Sequence, residues 1–129
     1  YIDAAKTVAD FFIEQLGEDT APKWDFRASA DHGEGYILLD TSAAAIAACG
    51  LVTISKLTGV KYYQEQAEKI ITNLYEHHST KDEPDHQGML KEGTGHYPKQ
   101  KNLEVSLIYG DYFFTEAVVT LKKDEILFW

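Results

Sequence analysis

With 129 residues, 44% of them apolar, the chain has the length of one domain and the composition of a globular core. Its 21 acidic residues against 12 basic ones leave a formal charge of −9, which argues against nucleic acid or an anionic membrane surface as partner, since both require a basic face. The single cysteine, Cys49, rules out an intramolecular disulfide, and no apolar run is read as long enough to span a membrane, which takes roughly 20 residues.

No secretory signal pattern opens the chain, and Tyr1 already lies inside a helical pattern, so a piece of a longer polypeptide is expected. From Tyr1 to Leu16 the apolar residues Ile2, Ala5, Val8, Ala9, Phe12, Ile13 and Leu16 recur at spacings of three and four, one face of a helix that Gly17 should stop. Glu18 to Leu39 has no periodicity and contains Pro22, Gly33 and Gly35. A loop of this length is unusual in a compact domain and often functional. Within it, Trp24-Asp25-Phe26 offers two aromatics and a carboxylate suited to a sugar ring. Local sequence favours a plainer role, with Trp24 and Phe26 anchoring the loop and Asp25 holding a turn.

The stretch from Asp40 to Leu57 organises the rest. Asp40, Thr41 and Ser42 are all N-cap types, and the alanine run that follows favours helix. Being apolar nearly all round, this helix is expected to be buried and crowded on several sides. Gly50 within it costs about 1 kcal/mol relative to Ala, so a neighbour is expected to need the room. Cys49 reads as a small buried residue rather than a nucleophile. Thr58-Gly59 ends this helix, and the next places Tyr63, Ala67, Ile70, Ile71 and Leu74 on one face. The short link predicts an antiparallel helical hairpin.

Thr80 to Lys101 contains Pro84, Gly88, Gly93, Gly95 and Pro98, spaced too closely for a helix; Met89 and Leu90 suit a short extended piece. Here His86, Lys91, His96, Tyr97, Lys99 and Lys101 gather, which makes it the candidate ligand-facing loop. A last helix begins between Glu104 and Asp111 and carries Tyr109, Tyr112, Phe113, Ala117, Val118 and Leu121. Asp111 and Glu116 near its start and Lys122 and Lys123 at its end suit the helix dipole. The apolar tail Glu125 to Trp129 is expected to fold back onto the core. The layout is four helices with two long loops, no strand series and no fixed repeat, as in helix pairs stacked in a ring or solenoid.

Chemistry is sparse. His77, His78 and His86 lack the i, i+4 spacing of two imidazoles on one helix face, so His77 and His78 read as dipole partners at a helix end rather than metal ligands. No GxSxG is present, and Gly33-Glu34-Gly35 and Gly93-Thr94-Gly95 are too short to cradle phosphate. Glycoside cleavage usually takes two carboxylates. Asp25, Asp31, Asp40 and Asp111 are available, but nothing in the sequence brings two of them together, and Asp40 and Asp111 are better explained as helix-start residues.

Four motifs in order, WDF (Trp24 to Phe26), DTSAAAIAACGL (Asp40 to Leu51), GMLKEGTGHYP (Gly88 to Pro98) and IYGDYFFTEAV (Ile108 to Val118), resemble the C-terminal part of the unsaturated glucuronyl hydrolases, glycoside hydrolase family 88, over nearly the whole chain. The resemblance implies an all-α fold in which residues 1–129 are the C-terminal third of an (α/α)6 barrel, helical hairpins forming an incomplete toroid. It implies release of the unsaturated uronic acid from lyase-generated glycosaminoglycan oligosaccharides. An aspartic acid protonates the vinyl ether, water adds at C5, and the hemiketal collapses, with no metal or organic cofactor. The family's catalytic aspartates lie in earlier segments without counterpart here, so no catalytic residue is assigned and the isolated chain is expected to be inactive. Substrate contacts are expected from His96, Tyr97 and Lys99, bordering the aglycone side of the pocket, and from Trp24. His96 comes first, and Lys99 is suited to sulfate or carboxylate. The Ser-and-Lys cluster that some relatives use for sulfated substrates is not found, Ser106 being the only serine nearby. Missing barrel helices would leave apolar surface prone to self-association. The competing reading is a helical-repeat module binding a peptide or protein partner; it prefers a regular repeat length and a continuous groove, and Trp24 and His96 facing away from any common cavity would favour it.

Overall fold

The computed structural model describes residues 1–33 and 36–123. Its regular structure is helical: α1 (Ile2–Leu16), α2 (Thr41–Thr58), α3 (Lys61–Asn73) running into one π-type turn (Leu74–His78), and α4 (Ile108–Lys122). The Asp40 carboxylate accepts hydrogen bonds from the Ser42 N–H at 3.1 Å and the Ser42 hydroxyl at 2.6 Å, so α2 starts where its cap residues predict. It ends at Gly59 (φ 73), whose N–H reaches the Ser55 carbonyl at 2.7 Å. After Val60, α3 begins and folds back along α2, burying Tyr63, Ala67, Ile70, Ile71 and Leu74 as their spacing predicts.

On its other flank α2 meets α4. The Cys49 thiol donates to the Phe113 carbonyl at 3.1 Å, and Lys56 Nζ donates to the Thr120 carbonyl at 2.7 Å. Ala44, Ala45, Ala48, Ala67 and Ala117 have no exposed surface. These small side chains are what let three helices close on one axis.

The expected crowding stops there. Ile46 on α2 is 43% exposed, and a methyl placed on Gly50 would find no heavy atom within 4 Å. Of the apolar stripe on α1, Ala9 and Leu16 are buried and Phe12 and Ile13 half-buried, while Ile2 and Ala5 are exposed and Val8 is 68% exposed. Between α1 and α2 lies a groove of about 680 Å³ floored by Ala43, Ile46, Ala47 and Gly50 and walled by Ala5 and Val8. The stripe is real, but none of the described residues covers its Ile2, Ala5 and Val8 end.

A second correction concerns α2. It is long and apolar enough to cross a membrane by length and composition alone (18 residues, mean hydropathy 1.4), whereas the sequence pattern predicts no run approaching a span. Its packing on α3 and α4 makes it a core helix instead. The tail from Glu125 to Trp129 lies outside the described residues.

Candidate functional site

The two long loops converge on the N-terminus of α2. The first is closed by the pairing of Lys23 with Leu39: the Trp24 N–H donates to the Leu38 carbonyl and the Asp40 N–H to the Pro22 carbonyl, both at 2.8 Å. The second is fastened to the same place. The Thr94 hydroxyl donates to the Leu39 carbonyl at 2.7 Å, the Thr41 hydroxyl to the Lys91 carbonyl at 2.7 Å, and the Thr41 N–H to the Glu92 carbonyl at 3.2 Å. Asp111, in the first turn of α4, accepts from the Met89 and Leu90 N–H groups at 2.9 and 3.0 Å. It therefore holds the loop as well as opening a helix. The short extended piece expected at Met89-Leu90 pairs Leu90 with Ser79.

Beyond this anchor the second loop forms a narrow hairpin, with Gly93 paired to Val105 and His96 to Lys101. Gly93 is required there, because a Cβ would sit 2.8 Å from the Val105 carbonyl oxygen. Among the described residues, the non-glycine positions with left-handed backbone are Glu92 (φ 61), Gln100 (φ 50), Asn102 (φ 52) and Glu104 (φ 52), all in this hairpin or at its foot. Strain of this kind persists only where surroundings over-determine it, and it clusters at ligand sites. At the tip, Tyr97–Lys99 form one 3₁₀ turn, capped by His96 Nδ1 accepting from the Lys99 N–H at 3.1 Å. The proton of a neutral His96 imidazole is therefore on Nε2.

The tip lays Tyr97 flat on Trp24, with ring centroids 4.7 Å apart and planes at 15°. Tyr36 stands edge-on to both rings at 5.3 and 5.0 Å, and His32 leans on Tyr36 at 4.7 Å. The Trp24 indole N–H is held by the Tyr36 carbonyl at 2.8 Å. The structure thus brings together Trp24 and Tyr97, with His96 and Lys99 exposed on the same hairpin. Tyr36 and His32 were missed; no periodicity marks them, and only the Lys23–Leu39 closure carries them to the cluster. The anchoring role of WDF is observed: Phe26 packs edge-on against Phe11 and Phe12, and Asp25 accepts from the Arg27 N–H at 2.9 Å and from its guanidinium. Trp24 is anchor and wall at once.

The carboxylates do not form an acid pair. Hydrogen bonds from Arg27 hold the Asp25 carboxyl below its ordinary range, so it stays ionised. Asp40 and Asp111 are occupied by backbone N–H groups, and Asp31 is exposed in the short turn Ala30–His32. Glu116 on α4 is different: burial raises its pKa, and its Oε2 is enclosed without a hydrogen-bond partner. It faces Cys49, whose thiol is pushed up to about 12 by burial and then by the Glu116 charge. At neutral pH that thiol is no nucleophile.

His78 also departs from its expected role. It is 4% exposed and is no solvent-facing dipole partner. Its Nδ1–H donates to the Glu92 carboxylate at 2.5 Å, and its Nε2 meets the Thr20 hydroxyl at 2.8 Å. Thr, His and Glu follow one another as in a nucleophilic triad, but the enclosed imidazole leaves no room for a substrate. A polar cleft of about 530 Å³ beside the hairpin is lined by His77, His86, Lys91, Glu92, Glu104 and Ser106, with Lys91 already paired to Glu83 at 2.5 Å. The site as a whole can stack on a sugar and bind its hydroxyl or anionic groups. Among the described residues, no pair of carboxyls lies beside the aromatic wall.

No protein-family model matches the sequence. The chain is 31% identical over 121 residues to the unsaturated glucuronyl hydrolase of Formosa agariphila, spanning 92% of this chain and 30% of that protein. It is 28% identical over 134 residues to the unsaturated chondroitin disaccharide hydrolase of Streptococcus pneumoniae, spanning 98% and 33% respectively. It superposes on the crystal structure of the unsaturated glucuronyl hydrolase from Bacillus sp. GL1 with a TM-score of 0.84 at 27% identity, covering 95% of this chain and 33% of that one. The chain spans about a third of the length of the curated relatives it matches. It is a homologue of the unsaturated glucuronyl hydrolases, and its helices correspond to part of their (α/α)6 barrel.

Proposed function

We propose that this chain is the C-terminal third of an unsaturated glucuronyl hydrolase and supplies the aglycone side of its sugar pocket. The whole protein would release the unsaturated uronic acid from glycosaminoglycan oligosaccharides by protonating and hydrating the C4=C5 double bond. The proton donor belongs to the portion of the barrel outside this chain. The observation that carries the reading is the Trp24–Tyr97 stack, built from two loops meeting at the head of α2, with His96 and Lys99 on the same tip. Tyr97 gives the second sugar an apolar face, His96 Nε2–H donates to a hydroxyl, and Lys99 meets a carboxylate or sulfate.

The apolar groove between α1 and α2 supports the same reading, since it has the form of a seat for neighbouring barrel helices. Left uncovered, it favours self-association of the isolated chain. A helical-repeat interaction module is disfavoured by the two loops, which are unalike in length and construction.

The test is saturation-transfer NMR with the unsaturated chondroitin disaccharide. Transfer should be strongest to protons of the second sugar and should fall several-fold in Tyr97→Ala and His96→Ala. Equal transfer in wild type and Tyr97→Ala would remove the wall from the substrate site.

A further inference from the structure

The aromatic wall depends on two loops that are far apart in sequence and have to stay in register. One buried side chain touches both. His78, at the end of the π-type turn, binds Thr20 with one ring nitrogen and Glu92 with the other. Thr20 opens the loop that carries Trp24, and Glu92 stands at the foot of the hairpin that carries Tyr97.

An ionised carboxylate can only accept, so His78 Nδ1 bears the proton in that contact. Nε2 then accepts from the Thr20 hydroxyl when the ring is neutral, and donates to it when the ring is charged. One ring thus holds both partners at once, one on each nitrogen. Glu92 itself is held at φ 61, a conformation that an L residue keeps only under restraint. The contact to His78 restrains it from the side chain, while the Thr41 N–H restrains its carbonyl.

From this geometry we infer that His78 is a positioning residue: through Thr20 and Glu92 it sets the two loops so that Tyr97 lies flat on Trp24. The functional consequence rests on the proposed sugar-binding role of the wall; the structural claim does not.

The experiment reads the stack directly. Near-ultraviolet circular dichroism of the chain is compared with that of Tyr97→Leu, whose difference spectrum defines the signature of the stacked pair. His78→Leu should lose most of that signature while keeping the far-ultraviolet helical signal. Glu92→Gln, which can still accept from Nδ1–H, should retain it, and Thr20→Val should lose part of it. A full signature in His78→Leu would overturn the inference, because the Thr41–Glu92 and Thr94–Leu39 bonds would then suffice. Should His78→Leu unfold, Thr20→Val decides, since it leaves the buried imidazole and its bond to Glu92 in place: an unchanged signature there also overturns the inference. Disaccharide binding is measured on the same variants and should weaken several-fold with loss of the signature. A Tyr97→Leu protein that binds as well as wild type would sink the proposed function while leaving the dichroism result standing.

Discussion

The head of α2 and its open flank belong to the same 18-residue helix and satisfy opposite needs. At the head, Asp40, Thr41, Ser42 and Thr94 all find partners on this chain, and the residues that fasten the loops are the residues that start the helix. On the flank, Ile46 and the facing Val8 stay largely open, and no described heavy atom lies within 4 Å of a methyl placed on Gly50. The difference follows from the chemistry of the groups. A buried polar atom without a partner costs about 1–3 kcal/mol, so a polar hub has to close on itself. An apolar face can stay open without unfolding the chain, losing only the burial that a further helix would add. Among the described residues the hub is therefore satisfied, and the groove is left open.

Substitutions at the two places should separate them. The largest effect is expected at Ala48, fully enclosed between α3 and α4. Ala48→Leu should cost about 3 kcal/mol by overpacking, whereas Ala47→Leu, lining the groove, should be nearly neutral in urea titrations. Equal losses at both would mean that the flank is not open. Next is Asp111→Ala, which strands the Met89 and buried Leu90 N–H groups and should cost about 2 kcal/mol. It should also raise the hydrogen exchange of residues 89 and 90 more than that of α3.

Gly50→Ala should act in the opposite direction. With nothing within 4 Å of the added methyl, the isolated chain should gain up to about 1 kcal/mol, seen as a higher urea midpoint. A loss would reveal a neighbour already seated there.

The smallest effect is at Glu116, whose folded-state pKa lies above its ordinary 4.5 because of burial. Such a carboxyl favours the folded chain's binding of a proton, so its contribution is fully present in acid and is lost as pH rises through the raised value. Glu116→Gln should therefore match wild type in thermal melts below pH about 4.5 and gain a modestly higher Tm at neutral pH. A difference of the same size at all pH values would rule out the carboxyl's charge as its cause.

Much of this fold was legible because it depends on local pattern. The face of α3, the cap of α2 and the irregular loops follow from spacing and turn chemistry, and WDF anchors its loop as its aromatics suggest. The stripe on α1 is apolar as its spacing predicts, yet Ile2, Ala5 and Val8 on it are exposed. Periodicity tells which face wants a partner, not whether the partner belongs to the same chain. The site was half legible. Tyr97, His96 and Lys99 stood out by composition, but Tyr36 and His32 join them only through a loop closure set by backbone bonds. His78 and Asp111 were assigned to helix dipoles because helix position was the only local information available. Their partners, Glu92 and the Met89–Leu90 backbone, lie across the fold.

In the function proposed above, this chain carries a sugar-facing wall without the acid that does the chemistry. Incubating the isolated chain with the unsaturated chondroitin disaccharide and following the ultraviolet absorbance of the conjugated acid tests it most directly. No decay is expected over a period in which the unsaturated chondroitin disaccharide hydrolase of Streptococcus pneumoniae consumes the substrate; decay in proportion to the concentration of the isolated chain would contradict this.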